Sequence, residues 1–181
     1  MRVLAFLAEG FEDLEALGTI ALLRRAEIDV DLCSVNNEPF VSGKYGITIK
    51  SDILIKDVNH LDYVLLFLPG GMPGVTNLEK EEAVKDLVNQ FVKSNLQLAA
   101  ICAAPGLLGR LGHLKELPYT CFPGVENELT DGIHRNVPVI VSEKMITGRA
   151  AGSVHDFALA IIEKLKGHQK MLEVKAEIYY E

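Results

Sequence analysis

The stretch that decides the fold is QLAAICAAPG, residues 97–106. Its first half, Gln97–Ile101, is a short apolar run of the kind that forms a strand buried on both faces of a parallel sheet. Pro105 suits the first turn of a helix, where its missing N–H costs no hydrogen bond. Cys102 therefore stands at a strand-to-helix junction, and its small neighbours leave room for a sharp turn.

The same alternation of strand and helix continues along the chain. Val3–Ala8 and Tyr63–Leu68 are further apolar runs. Strands that alternate with amphipathic helices are typical of a mostly parallel sheet with helices on both faces. The sequence therefore predicts a three-layer α/β sandwich, with one domain over residues 1–181. The other predicted elements are strands at Asp29–Val35 and Gly46–Ile49, helices at Glu12–Arg25, Asn77–Val92 and, as the last element, Ser153–Leu165, and a hairpin of Pro138–Val141 with Met145–Thr147.

The composition argues against several classes of function. The formal net charge is −7 and no run of lysine or arginine forms a stripe, so we expect no nucleic-acid partner. No apolar stretch has the length needed to span a bilayer, and the opening Met1–Asp13 segment fits a first strand better than a signal peptide. We therefore expect no membrane association. Three cysteines without metal-ligand spacing favour a reducing, cytoplasmic location and predict no metal site.

Three predicted strands end in unusual residues. These ends are Ala8-Glu9-Gly10, Pro69-Gly70-Gly71 and Ile101-Cys102-Ala103. In parallel α/β sheets, ligands bind beyond the carboxyl ends of the strands. We therefore expect these three segments to meet at one site.

Two interpretations of Cys102 are open. It is either a small apolar side chain that fills the core, or a nucleophile lifted above the sheet on a strained strand-to-helix turn. At this junction we favour the nucleophile, and we expect the helix N-terminus to lower the thiol pKa below its ordinary value of about 8.5. The N–H of Ala103 and a backbone donor from Gly70-Gly71 are the expected partners for an oxyanion.

A nucleophilic thiol also needs a proton partner. Glu12 and Asp13 are explained as acids that favour the start of a helix. Glu15 lies on or beside the apolar stripe of the same helix, where burial would raise its pKa and let it donate a hydrogen bond to the sulfur. The alternative is a side chain that reaches solvent.

Four segments stand out when the chain is taken as a whole: AEGFEDLE at 8–15, LPGG at 68–71, AAICAAP at 99–105 and FALAIIE at 157–163. Through them the chain resembles the DJ-1/ThiJ/PfpI superfamily over essentially its whole length. This resemblance implies a flavodoxin-like α/β sandwich, a homodimer, and no cofactor. It also implies that Cys102 is the reactive cysteine, that Glu15 is a protonated partner of the sulfur, and that Gly71 and Ala103 supply the backbone donors.

Departures from the family pattern narrow the expected activity. PfpI-type peptidases and related glutamine amidotransferases place a histidine at or near the elbow, whereas Ala103 follows the cysteine here, so we expect no protease. Phe122 stands where the DJ-1 branch has a histidine before a proline. By the same resemblance Cys121 falls near the pocket, where a disulfide or relay with Cys102 is a further hypothesis. Arg25 and Arg149 are candidates to receive an anionic substrate group, the alternative being exposed arginines.

The resemblance implies an enzyme that acts on small aldehydes or reactive dicarbonyls, or on their protein adducts, of the glyoxalase III or protein deglycase type. The alternative is a redox-sensing stress protein, or a holdase chaperone, that uses oxidation of Cys102. The same residues serve both functions, so the sequence does not separate them.

Overall fold

A seven-stranded sheet forms the centre of the structure, a computed structural model that describes residues 1–181. Its strand order is β10-β11-β7-β6-β1-β2-β5, and every neighbouring pair is parallel except β10 with β11. Two small sheets, β3-β4 and β8-β9, flank it. The strands are β1 Arg2–Leu7, β2 Asp29–Ser34, β3 Phe40–Ser42, β4 Thr48–Lys50, β5 Ile53–Leu54, β6 Leu65–Leu68, β7 Gln97–Ile101, β8 Pro118–Tyr119, β9 Ile133–His134, β10 Val139–Val141 and β11 Met145–Gly148.

Six helices cover the two faces of this sheet. α1, α5 and α6 contribute to one hydrophobic cluster and α2, α3 and α4 to the other. None of the six has the combination of length and apolar character that crossing a membrane requires. The helices are α1 Asp13–Arg25, α2 Gly74–Lys80, α3 Glu82–Lys93, α4 Ala104–Arg110, α5 Val154–Lys166 and α6 His168–Glu177.

The first strand shows why the sheet lies between two layers. Val3 and Leu7 pack into one cluster, whereas Leu4 and Phe6 pack into the other. Successive side chains of a strand point to opposite faces, so a strand that is apolar throughout is stable only where both faces are covered. The predicted three-layer fold and its antiparallel hairpin of β10 with β11 are confirmed.

The helix predicted over Asn77–Val92 is wrong, because the segment forms two helices. α2 ends at Lys80 and α3 begins at Glu82, with Glu81 between them in an extended conformation at φ −87° and ψ 112°. The break lets both helices bury apolar residues against the same face of the sheet. The apolar periodicity continues through both helices, so the sequence pattern did not reveal the change of direction between them.

The end of the chain also differs from the prediction. α5 ends before Gly167, as expected, but α6 follows it directly, so α5 is not the last element. Val174 is the one buried residue of α6, and a helix with so little apolar surface has weak periodicity. The polar stretch between Pro118 and Arg135 contains the parallel pair β8 and β9, which gave no strand signal.

Removing the Phe157 ring should destabilise the protein strongly. Phe157 is fully buried on α5, and its ring centroid lies 5.8 Å from that of Phe67 on β6. We expect Phe157→Ala to lower the free energy of unfolding by about 3–5 kcal/mol, since the cavity adds to the lost apolar burial. Urea denaturation measures this, with Tyr179→Ala, at a 94% exposed position, as the control. A loss below that of the control would contradict the assigned core.

Candidate active site

Cys102 occupies a strained turn at the carboxyl end of β7. Its φ is +65°, in the left-handed region, which costs a residue other than glycine about 1–3 kcal/mol and persists only where the surroundings fix it. Two backbone hydrogen bonds fix it here. The Cys102 N–H donates to the Gly148 carbonyl at 2.9 Å, and the Cys102 carbonyl accepts from the N–H of Phe122 at 2.7 Å.

Glu15 reaches this turn from the first turn of α1. Its side chain is 1% exposed, and its Oε2 accepts the N–H of Gly70 at 3.0 Å. The N–H of Ala151 and the thiol of Cys102 also hydrogen-bond its carboxyl group. The structure thus places Glu15 beside the sulfur and away from solvent.

The other two acids at this helix end have separate structural roles. Glu12 caps α1, because its Oε2 accepts the N–H of Glu15 at 2.6 Å. The Asp13 carboxylate accepts the N–H groups of Tyr45 and Ile47 at 2.9 and 3.2 Å. Of the three acids, Glu15 is the one that contacts the thiol.

Glycine at position 70 is required by the closeness of Glu15 and Cys102. A Cβ there would lie 2.5 Å from Glu15 Oε2 and 2.6 Å from Cys102 Cβ, closer than any real side-chain contact. Gly71 has φ +95°, and its N–H, with that of Ala103, acts as a hydrogen-bond donor that lowers the pKa of the Cys102 thiol. Two N–H donors and one carboxyl group therefore surround the sulfur atom.

Burial changes the acidity of both groups. It raises the pKa of Glu15 from 4.5 to about 7, with a smaller contribution from the charge of Glu12. Burial also raises the pKa of the Cys102 thiol, as does the charge of ionised Glu15, while the N–H groups of Gly71 and Ala103 lower it. The expected low thiol pKa is therefore wrong, because burial is the larger of the causes that raise it. Protonation of Glu15 removes its opposing charge but not the effect of burial.

A cavity of about 520 Å³ opens beside Ala103. Phe122, which is 48% exposed, forms part of its wall. Arg110 also lines it, but its guanidinium group is paired with Glu79 and with Glu128. The cavity therefore offers apolar surface and no unpaired cation. The remaining lining residues are Met72, Val75, Pro123, Gly124 and Val125.

Cys121 and Cys102 are both free thiols with different partners. Cys121 Sγ lies 3.8 Å from Glu126 Oε2, whereas Cys102 contacts Glu15. They also belong to different hydrophobic clusters, on opposite faces of the sheet. This arrangement gives no support to a disulfide between them.

The two candidate arginines do not join the thiol site. Arg25 is the last residue of α1, ten residues or about 15 Å along the helix from Glu15, and pairs with Glu177 at 3.3 Å. Its assignment to the pocket is wrong, because helix length carries it away from the strand ends. Arg149 follows β11 near the site, but its Nη1 donates to Asn136 Oδ1 at 3.1 Å and it does not line the cavity.

Two backbone groups of the site were not predicted. They are the Ala151 N–H that contacts Glu15 and the Gly148 carbonyl that holds the Cys102 turn. Every residue carries such groups, so no residue type marks them in the sequence. Only the strand order, which puts β11 next to β7, brings them to the site.

A parallel α/β sandwich with a cysteine on a strained strand-to-helix turn, backed by a buried carboxyl group, defines the class of nucleophile-elbow proteins. The sequence model of the DJ-1/PfpI family matches residues 1–164. The chain belongs to this family.

Known relatives cover nearly all of the chain. It is 33% identical over 174 residues to protein DJ-1 homolog B of Arabidopsis thaliana, which covers 96% of this chain, while the chain spans only 40% of that protein. It is 32% identical to the glutathione-independent glyoxalase DJR-1.2 of Caenorhabditis elegans, over 90% of this chain and 87% of that protein. A cysteine-to-alanine mutant of a DJ-1 superfamily protein from Salmonella typhimurium superposes with a TM-score of 0.95 at 30% identity, covering 99% and 98% of the two chains.

The raised pKa of Glu15 makes stability depend on pH. A carboxyl group with a pKa of 4.5 when unfolded and about 7 when folded favours the folded state below pH 4.5, and this contribution is lost as the pH rises to about 7. Glu15→Gln cannot ionise, so it should gain about 2–3 kcal/mol relative to the wild type between pH 5 and pH 8. Urea denaturation at both pH values tests this, with Glu143→Gln, at an exposed position away from the site, as the control. Parallel pH profiles for wild type and Glu15→Gln would refute the assignment.

Proposed function

We propose that the chain is a cofactor-free, cysteine-dependent enzyme that converts small reactive dicarbonyls to hydroxy acids, or removes their adducts from proteins, in protection against carbonyl stress. The observation that carries the proposal is the buried contact between Glu15 and Cys102, with the N–H groups of Gly71 and Ala103 around the sulfur. The glyoxalase activity in the name of the nematode relative supports the same class of substrate.

The first step proposed is addition of the Cys102 thiolate to the aldehyde carbon of a methylglyoxal-like substrate. The sulfur–carbon bond forms, the carbonyl electron pair moves to oxygen, and the N–H groups of Gly71 and Ala103 stabilise the oxyanion. Glu15, having taken the thiol proton, returns it to this oxygen and gives a hemithioacetal. Positioned proton transfer of this kind contributes about 100- to 10,000-fold to the rate.

Glu15 then moves a second proton. It removes the hydrogen from the carbon bonded to sulfur as a proton and delivers it to the neighbouring carbon. The hemithioacetal hydroxyl proton passes to the neighbouring oxygen, which converts the hemithioacetal to a thioester of the hydroxy acid. Water cleaves the thioester, releases the hydroxy acid and restores the thiol. The net reaction adds one water to the dicarbonyl and needs no redox partner. Because Phe122 offers no second base, we expect slow turnover.

The cavity fits a small uncharged substrate. It adjoins Ala103, and Phe122 and Met72 supply apolar wall. Its one arginine, Arg110, is already paired with Glu79 and Glu128. An anionic substrate would have to compete with two carboxylates for that guanidinium group, whereas a neutral dicarbonyl needs no countercharge.

Methylglyoxal consumption with detection of lactate, in the absence of glutathione, tests the proposal. Cys102→Ser should fall to the buffer rate, and Glu15→Gln should lose about 100- to 10,000-fold. Cys33→Ser, which removes a buried thiol elsewhere in the core, should keep the wild-type rate. A wild type no faster than buffer would refute the dicarbonyl enzyme.

A redox-sensing stress protein, or a holdase chaperone controlled by oxidation, is the second candidate function. The same two N–H donors and the Glu15 proton would stabilise the charge of a sulfinate formed on Cys102. Glu15→Gln keeps hydrogen-bond donors near that sulfinate but cannot shuttle protons. The variant should therefore lose methylglyoxal turnover more than it loses peroxide-driven sulfinate formation. Equal losses of the two would contradict separate roles of Glu15 in proton transfer and in stabilising the sulfinate.

We further propose that the protein acts as a homodimer through the surface around the start of α1. Leu14, Tyr45 and Ile47 are 53, 69 and 47% exposed. Asp13 holds the backbone of residues 45 and 47 at the start of α1, so the loop that carries Tyr45 and Ile47 is fixed to the helix turn that carries Leu14. Exposed apolar residues grouped on neighbouring segments are typical of interaction sites.

Leu14→Glu should separate the proposed dimer. A charge at the centre of an apolar contact is buried without a partner when two copies associate, which opposes association. Sedimentation of the wild type should give twice the 19.9 kDa of one chain, and the variant should give one chain. Leu61→Glu, at a 67% exposed position outside this surface, is the control. A monomeric wild type would refute the dimer.

A further inference from the structure

A second group of reactive side chains lies close to the elbow. Cys121, Glu126 and His134 bring one sulfur, one carboxylate oxygen and one ring nitrogen within 4.8 Å of one another. The Cys121 sulfur is 3.8 Å from Glu126 Oε2. These three kinds of atom are the ones that bind Zn²⁺ in proteins.

The topology assembles this group from three elements. Cys121 lies two residues after β8, and His134 is the second residue of β9, which pairs with β8 in parallel. Glu126 lies on the short 3-10 helix Val125–Glu128. The prediction of no metal site was based on ligand spacing along the sequence, and it could not detect ligands that the fold brings together.

Each side chain is already held in place. The Glu126 carboxylate accepts the N–H of Gly124 at 2.7 Å, and the His134 ring lies against Tyr119 with 5.5 Å between centroids. Cys121 is 1% exposed. Such supporting contacts orient metal ligands and strengthen their hold on the ion.

The charges at this site leave room for a cation. The Glu126 carboxylate accepts the N–H of Gly124 and lies beside the Cys121 thiol, and no lysine or arginine pairs with it. A thiol and a carboxylate side by side therefore lack the strong countercharge that a divalent ion would supply.

We propose that Cys121, Glu126 and His134 bind Zn²⁺, with a fourth position open to water. Binding releases the thiol proton to solvent and forms a sulfur–zinc bond. Around tetrahedral Zn²⁺, such ligand atoms lie about 3.5 Å apart, so contraction by about 1 Å completes the site. The ion would join β8, the 3-10 helix and β9.

The position of this site connects it to the elbow. Phe122, the residue after Cys121, donates its N–H to the Cys102 carbonyl at 2.7 Å. Phe122 and Val125 also line the cavity beside Ala103. Zinc would therefore fix the wall of that cavity, and the site stands whether or not the chain acts on dicarbonyls.

Titration of the full chain with Co²⁺ tests the proposal, because Co²⁺ accepts the same ligands and its bond to a thiolate absorbs light. One ion per chain should bind with a thiolate band in the wild type and in Cys102→Ser, which removes the thiol paired with Glu15. Cys33→Ser should also bind one Co²⁺ per chain with the same thiolate band. Zn²⁺ should displace the cobalt and raise the melting temperature of all three proteins.

The ligand variants decide the outcome. Cys121→Ser should lose the thiolate band, and His134→Gln and Glu126→Gln should weaken binding by more than the roughly 10- to 100-fold that follows loss of a supporting contact. Circular dichroism and the melting temperature without metal establish that each variant is folded. A band that survives in Cys121→Ser, a band lost in Cys102→Ser, or no saturable binding by the wild type would overturn the proposal.

Discussion

The contact between the Glu15 carboxyl group and the Cys102 sulfur is the constraint around which this structure is arranged. Both groups are buried, and an ionised carboxyl in such a place is costly unless hydrogen bonds or a proton compensate it. The N–H groups of Gly70 and Ala151 supply the hydrogen bonds. These hydrogen bonds compensate only part of the cost of burying the charge, so the pKa of Glu15 is raised to about 7. A transferable proton therefore lies beside the thiol near neutral pH.

The fold supports this contact mainly through backbone atoms. The order β11-β7-β6 in the sheet sets three strand ends side by side, and Cys102 keeps its left-handed φ because Gly148 and Phe122 hold both of its peptide groups. Gly70 has no Cβ, and a Cβ at this position would clash with the Glu15 carboxyl group. Phe122, which stands where the DJ-1 branch has a histidine, lies in the wall of the cavity and supplies only its backbone N–H to the Cys102 turn.

Features that depend on residue type could be predicted from the sequence, whereas features that depend on the topology of the sheet could not. Apolar runs predicted the sheet. Periodicity placed Glu15 on or beside the apolar stripe, but it was the resemblance to the DJ-1/PfpI family that chose Glu15 over Glu12 and Asp13. The Ala151 N–H was not predictable, since backbone donors have no sequence signature. Arg25 was misplaced because periodicity gives the face of a helix but not the distance to a site. The acidity of Cys102 was misjudged because burial raises the pKa of the thiol, and the charge of Glu15, a neighbour from another element, raises it further.

The most direct test of this account is the titration of Glu15 itself. In protein labelled with ¹³C at the glutamate side-chain carboxyl, the Glu15 resonance is assigned by its absence from Glu15→Gln and followed across the pH range. We expect a midpoint at about pH 7. We also expect the midpoint to change in Cys102→Ser, because the hydrogen bond from the thiol is altered. A midpoint near 4.5, the ordinary value for a glutamate, with no response to Cys102→Ser, would contradict it.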